Sequence, residues 1–178
     1  IAGFMNDVYC ISGLGADRRV FRHLHVEGVD FKFIDWIPPE HGETMQSYAG
    51  RLSQQLENPE ATLLGVSFGG MMAIELARIL PVKAVVLISS VKTNAELPLW
   101  MRSCGQFKID SLLPEKKAIT TIPGAKLLRP VQNYFLGASS EEEKRIANEY
   151  RDSVDPVYLK WSINHVLNWK NDWLPSNL

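Results

Sequence analysis

The stretch Leu63-Leu64-Gly65-Val66-Ser67-Phe68-Gly69-Gly70-Met71-Met72 decides how the rest of the chain is interpreted. An apolar run over residues 61–66 leads into Gly65-x-Ser67-x-Gly69, and a helix-like run over residues 70–80 follows directly. This pattern predicts a buried strand, a tight turn and a helix, with the serine at the apex of the turn. The five motif letters also occur by chance in glycine-rich loops, but the strand before them and the helix after them favour the turn.

The predicted turn gives the serine a chemical use. Side chains two positions before and after Ser67 would collide with the bent backbone, and glycine avoids the collision because it has no Cβ atom. The serine hydroxyl then lies clear of the sheet, where a substrate carbonyl can reach it. The first N–H groups of the following helix have no partners within that helix, so they can stabilise a negatively charged oxygen.

Composition limits the classes of protein to consider. The chain has 178 residues, of which 46% are hydrophobic and 22% charged, as expected for an ordinary globular core. A formal net charge of -1 gives no basic excess for binding nucleic acid. No apolar run is long enough to span a bilayer and no signal peptide is visible, so we expect a cytoplasmic protein.

The two cysteines, Cys10 and Cys104, have no metal-binding spacing and do not form a disulfide framework. We therefore expect no metal ion and no cofactor.

Apolar segments alternate with helical ones through the first half of the chain. Strands are predicted at residues 7–12, 31–36, 61–66 and 82–89, and helices at 18–24, 44–56 and 70–80. This alternation predicts an α/β fold, a parallel sheet with helices on both faces. Ligands of such sheets bind at the carboxyl ends of the strands, where residues 12–15, Ser67 and residues 89–90 lie.

The pattern changes after Ser90. Residues 94–137 contain four prolines and no clear strand, and helical segments are predicted at 99–104, 114–119, 140–151 and 156–169. We predict three parts: a core over residues 1–93, a helical lid insertion over 94–155, and a helix over 156–178 that returns to the core.

Two segments together resemble the α/β-hydrolase superfamily. One is the turn Gly65-Val66-Ser67-Phe68-Gly69, and the other is the strand and loop Ile11-Ser12-Gly13-Leu14-Gly15. Members commonly carry His-Gly-x-Gly in the second segment, whereas this chain has serine in the histidine position. The resemblance covers the first half of the chain well and the lid loosely.

This resemblance implies a role for each motif position. Ser67 is expected to be the nucleophile, and the backbone N–H groups of Leu14 and Phe68 are expected to form an oxyanion hole. Four glycines are expected to shape the site: Gly13, Gly15, Gly65 and Gly69.

The rest of the catalytic triad has no match. Superfamily members supply an acid and then a histidine from two later strands, and neither strand is found here. None of the four histidines, His23, His25, His41 and His165, stands in the expected position. We therefore expect the fold to be incomplete, with the acid and base beyond Leu178 and an open edge beside the strand at 82–89.

The leading functional hypothesis is a serine hydrolase that acts on a small ester or thioester, so that the partner is a small acyl substrate. Met71, Trp100 and Phe107 are expected to line an apolar pocket for the acyl group. Two alternatives remain open: a lyase on the same scaffold, and a non-catalytic module that binds a small molecule.

Overall fold

A parallel sheet of four strands forms the centre of the fold. The computed structural model describes residues 6–106 and 139–178. The strands are, in chain order, β1 (Asn6–Ile11), β2 (Val29–Ile34), β3 (Thr62–Val66) and β4 (Ala84–Ile88). Their spatial order is β2-β1-β3-β4, and all neighbours are parallel. The predicted parallel α/β sheet is confirmed.

The register of the strands brings their carboxyl ends to one edge of the sheet. Ile11, the last residue of β1, lies opposite Ile34 of β2 and Gly65 of β3. Val66 in turn lies opposite Ile88 of β4. The segments that follow β1, β3 and β4 therefore meet at this edge.

Among the described residues, five α-helices and three short 3-10 helices accompany the sheet. The α-helices are α1 (Met45–Leu52), α2 (Phe68–Ala77), α3 (Leu99–Gln106), α4 (Glu141–Ser153) and α5 (Pro156–Asn168). The 3-10 helices are Arg18–Phe21, Ser53–Gln55 and Asn94–Glu96. The side chains of Thr44, Ser140 and Asp155 cap α1, α4 and α5, because each accepts a hydrogen bond from a backbone N–H of the first turn.

Two predicted elements differ in type or bounds from the observed ones, and a third is not tested. The helix predicted at 18–24 is the short 3-10 helix Arg18–Phe21. The strand predicted at 31–36 runs from Val29 to Ile34, because β1 pairs with it from Asn6 to Ile11 and no further. The helix predicted at 114–119 lies outside the described residues.

Helix α2 is the most buried helix and lies in the main hydrophobic core. Nine of its ten residues, all except Ala77, are buried, so the helix is covered on every side. The same core includes Tyr48 and Leu52 of α1 and Leu63 of β3, all inaccessible to solvent. This packing fixes the start of α2 against the sheet.

The opposite face of the sheet carries a smaller core of Cys10, Phe21 and Leu64. Burial raises the pKa of the Cys10 thiol to about 12, so this cysteine stays protonated and inert. On β4, Val86 and Ile88 are 42% and 43% exposed. The described residues thus leave part of this face open, whereas the sequence predicts strands buried on both sides.

The C-terminal residues contact β4, which is one of the two edge strands of the described sheet. The carbonyl of Asn177 accepts a hydrogen bond from the Val85 N–H at 3.1 Å. The Asn177 side-chain amide donates to the carbonyls of Val82 and Lys83, each at 2.7 Å. The strand order confirms that β4 lies at an edge of the described sheet, as predicted. The segment around Asn177 covers the first residues of β4 at this edge.

A buried carboxylate connects α2 to the residues after α5. Glu75 is 1% exposed and accepts a hydrogen bond from the Trp169 indole N–H at 2.8 Å. Its second oxygen lies 3.4 Å from the Arg78 Nε. Burying a carboxylate is costly unless it has such partners. The hydrogen bond from Trp169 therefore stabilises Glu75 and attaches the segment after α5 to α2.

We predict that Trp169→Phe lowers the free energy of unfolding by about 1–3 kcal/mol, since it removes a donor from a buried carboxylate. Urea denaturation measures the change. Trp173→Phe is the matched control, because Trp173 is 36% exposed and packs on the Arg78 guanidinium. We expect the control to change stability by less than about 0.5 kcal/mol. Equal effects of the two substitutions would contradict this account of Glu75.

Candidate active site

Ser67 lies in a backbone conformation that serine rarely adopts. Its φ is 53° and its ψ is -119°, at the position immediately before α2. Three hydrogen bonds hold this backbone: the Ser67 N–H donates to the Ile88 carbonyl at 2.9 Å, and the Ser67 carbonyl accepts from the Gly70 N–H at 2.9 Å and from the Ser90 Oγ at 2.6 Å. The end of β4, Ser90 and the first turn of α2 therefore stabilise the strained conformation of Ser67.

The glycines on either side of Ser67 lie where no side chain fits. A Cβ atom on Gly65 would overlap the backbone of Gly69 and Gly70. A Cβ atom on Gly69 would overlap the carbonyl oxygens of Ile11 and Ser12. Strand β3, helix α2 and the loop after β1 thus approach to distances that only glycine permits.

The loop after β1 reaches the serine through Gly13 and turns at Gly15. A Cβ atom on Gly13 would lie 3.4 Å from the Ser67 Cβ, which is ordinary contact. Gly15 has a φ of 70°, a left-handed conformation that glycine adopts without strain. Leu14, between these two glycines, is therefore held close to Ser67.

The Ser67 side chain is exposed and does not cap α2. It does not accept the hydrogen bond from the first turn of α2 that a serine before a helix often accepts. Within the described residues, neither the Leu14 N–H nor the Phe68 N–H has a hydrogen-bond acceptor. Within the part of the chain that the structure describes, this turn and the loop after β1 therefore carry a hydroxyl that makes no capping bond and two backbone donors without an acceptor.

Ser12, in the position where the superfamily commonly has histidine, stabilises the same loop. Its hydroxyl donates to the Ala16 carbonyl at 2.8 Å and accepts from the Trp36 indole N–H at 3.0 Å. The Ala16 N–H donates to the Gly13 carbonyl at 3.2 Å, which closes a turn. Ser12 is 2% exposed, so this network is protected from water.

Sequence reasoning missed Trp36 and the exact role of Ser90. The Trp36 ring stacks on Phe68 with centroids 5.2 Å apart, and so connects the end of β2 to the serine turn. The only available signal for either residue was its position just after a strand, at the carboxyl edge of the sheet.

The four histidines do not form a hydrogen bond with Ser67 in the described residues. His23, His25 and His41 are exposed. His165 is partly buried, and its Nδ1 lies 2.8 Å from the Trp161 carbonyl of its own helix. Burial lowers the pKa of His165 below its usual value, although the Trp161 carbonyl acts in the opposite direction. His165 is therefore a neutral, packed side chain at pH 7.

The residues predicted to line an acyl pocket have different locations. Met71 is 2% exposed and packs in the main core, because α2 is buried on every side. Trp100 belongs to α3, whereas Phe107 lies outside the described residues.

A cavity of ≈ 270 Å³ lies beside the loop after β1. Its walls come from that loop, from the end of β2 and from the region where α4 leads into α5. The lining residues are Ser12, Gly15, Ala16, Asp17, Ile34, Asp35, Trp36, Ile37, Pro38, Tyr150, Ser153, Val154, Asp155 and Tyr158. Sequence reasoning placed a pocket at this edge of the sheet, but named none of these residues as walls.

Arg19 connects the loop after β1 to α4. Its guanidinium lies 2.9 Å from the Asp17 carboxylate and 3.1 Å from the Glu149 carboxylate, and 4.4 Å from the centre of the Tyr150 ring. Partial burial acts to raise the pKa of Asp17, but the hydrogen bonds from Arg19 outweigh it and lower this pKa. Burial, with the Asp17 charge nearby, raises the pKa of Tyr150 to about 12. Helix α4 thus contacts the loop after β1 through Arg19.

Within the described ranges, no group of three or more His, Cys, Asp or Glu side chains is arranged to hold a metal ion. A separate search of the same residues found no helix with the length and apolar character needed to cross a membrane.

Comparison with solved structures identifies the fold. MenH from S. aureus superposes with a TM-score of 0.62 at 16% identity, over 92% of this chain and 67% of MenH. A hydrolase from Pseudomonas aeruginosa PA01 gives 0.63 at 17% identity, over 94% and 66%. The bottromycin epimerase BotH, solved with bottromycin A2, gives 0.61 at 16% identity, over 94% and 67%.

No protein-family model matches the chain, and no curated protein matches its sequence. The similarity to the solved structures shows that the chain has the α/β-hydrolase fold. The chain spans about two-thirds of the length of these structures. Identities this low show the fold alone. The neighbours include an epimerase as well as a hydrolase, so the reaction has to be argued from the site.

We predict that Gly69→Ala lowers the free energy of unfolding by about 1–3 kcal/mol or prevents folding, since its Cβ would overlap two carbonyl oxygens. Thermal and urea denaturation measure the effect. Gly50→Ala is the matched control, because Gly50 lies within α1 with open space where a Cβ would be. Alanine is favoured over glycine in a helix, so the control should gain about 0.5–1 kcal/mol. A neutral Gly69→Ala would show that the close approach is absent.

Proposed function

We propose that the protein is a serine hydrolase that acts on a small ester or thioester, with Ser67 as the nucleophile. The observation that carries the proposal is the strained turn, which presents an exposed hydroxyl that makes no capping hydrogen bond. Strain of this kind persists where the surroundings enforce it, and it is common at catalytic residues. The α/β-hydrolase fold is compatible with this chemistry.

In the proposed reaction, the Ser67 Oγ attacks the acyl carbon and loses its proton to a general base. The carbonyl oxygen becomes an oxyanion, which the N–H groups of Leu14 and Phe68 stabilise. The bond to the leaving alcohol or thiol then breaks, the leaving group takes up the proton, and water hydrolyses the acyl-serine. One such N–H donor contributes on the order of 3 kcal/mol to transition-state stabilisation.

The reaction requires a general base, because the serine hydroxyl holds its proton at neutral pH. No imidazole or carboxylate in the described residues makes a hydrogen bond with the Ser67 Oγ. The proposal therefore assigns the base to a part of the protein outside the described residues. The helical segment after β4 is proposed to act as a lid, since Arg19 holds α4 against the loop after β1.

Since no base contacts Ser67 among the residues that the structure describes, one second candidate is a module that binds a small molecule without turning it over. Such a module retains the cavity and the backbone donors. It differs from a hydrolase in having no activated serine.

A fluorophosphonate probe separates the two candidates. We expect the probe to add covalently to one residue of the folded protein, with Ser67 identified by peptide mass spectrometry. We also expect turnover of 4-nitrophenyl butyrate to fall at least about a thousandfold in Ser67→Ala.

Ser47→Ala is the matched control, since Ser47 is exposed on α1 and its side chain takes no part in the site. This variant should be labelled as fast as the wild type, and heat-denatured protein should not be labelled. Absence of both labelling and turnover in the folded wild-type protein would reject the hydrolase in favour of the binding module.

A further inference from the structure

The cavity beside the loop after β1 has an unusual distribution of charge. Three carboxylates line it, from Asp17, Asp35 and Asp155. Among the described residues, its lining contains no lysine, arginine or histidine. A negatively charged ligand would lose its hydration there without gaining a counter-ion in the wall.

The three carboxylates are already engaged, which also disfavours a cation. Asp17 pairs with Arg19, and Asp35 pairs with Arg18, in both cases with an arginine that does not line the cavity. Asp155 accepts a hydrogen bond from the Tyr158 N–H at 2.8 Å and caps α5. An ammonium group would gain less from Asp17 and Asp35 than from unpaired carboxylates, because a guanidinium already offsets each of these charges.

The remaining walls are mainly apolar and aromatic. Trp36, Tyr150 and Tyr158 contribute rings from three different segments, and Ile37, Pro38 and Val154 contribute aliphatic surface. A cavity of this volume with such walls suits an apolar group of the size of one ring. Such a ligand contacts the walls without giving up hydrogen bonds to water.

The cavity adjoins Ser67 along two routes. Ser12 lines the cavity, and the next residue, Gly13, contacts Ser67. Trp36 also lines the cavity and stacks on Phe68, the residue after Ser67. Ser67 itself is not a lining residue, so the cavity lies beside the serine turn, with Gly13 and the Trp36–Phe68 stack between them.

We infer that the cavity binds the uncharged, ring-bearing part of the substrate, and that the site discriminates against anionic substrates. The inference rests on the proposed function for the identity of the ligand as a substrate. The binding preference itself depends only on the lining residues, and so it is tested without any reaction.

Three ketones of matched shape test the preference: acetophenone, the anion 4-acetylbenzoate and the cation 4-acetylbenzylammonium. Their affinities are measured by ligand-detected NMR titration of the wild type and of Ser67→Ala. We expect acetophenone to bind saturably and about tenfold more tightly than 4-acetylbenzoate. The preference should be the same in both proteins, because Ser67 does not line the cavity.

Asp35→Lys tests whether the ketones bind in this cavity. It puts an ammonium group in the lining and releases the Arg18 guanidinium, and Asp35 is exposed enough for the change to be tolerated. We expect it to raise the affinity for 4-acetylbenzoate about fivefold to tenfold. Glu60→Lys makes the same change of charge at an exposed site before β3, at the opposite end of the sheet, and should have no effect.

Each outcome decides the inference. No saturable binding of acetophenone, tighter binding of either charged ketone, or equal responses to Asp35→Lys and Glu60→Lys would overturn it. Binding as expected in a protein that fluorophosphonate does not label would uphold the inference for the cavity and reject the hydrolase.

Discussion

The close approach of three backbone segments around Ser67 is the constraint on which the site depends. Helix α2 begins against the end of β3, and the carbonyls of Ile11 and Ser12 lie where a side chain on Gly69 would be. Ser67 between these segments has a φ of 53°, and the hydrogen bonds from Gly70 and Ser90 hold its carbonyl in place. The buried helix α2 supports the arrangement, because it cannot shift without disturbing the main core.

The fold was predictable from sequence where local patterns and tertiary packing agree. Strands β1 and β3 contain apolar runs at residues 8–11 and 63–66, and the glycines beside Ser67 mark a turn that few other residues permit. The boundaries were less predictable: β2 ends at Ile34 because β1 ends at Ile11, which only the pairing reveals. Likewise, the exposure of Val86 and Ile88 depends on what covers the sheet, and no pattern within β4 carries that information.

The candidate site was predictable in its backbone and not in its side chains. The resemblance to the superfamily pointed to Ser67, Leu14 and Phe68, whose proposed roles depend on the path of the chain. The cavity walls come from residues far apart in sequence, such as Trp36 and Tyr158, whose meeting requires the helices after β4 to be placed. Met71 illustrates the same limit, because its position after the motif does not reveal that α2 is buried on every side.

The most direct measurement of the central claim is a crystal structure of the protein after reaction with a phosphonate. The phosphoryl oxygen stands for the oxyanion, and donors in an oxyanion hole lie about 2.7–3.1 Å from it. The account predicts that the Leu14 and Phe68 nitrogens both lie within that range, with Ser67 still at a positive φ. A phosphoryl oxygen that points to solvent, or a relaxed Ser67 backbone, would contradict it.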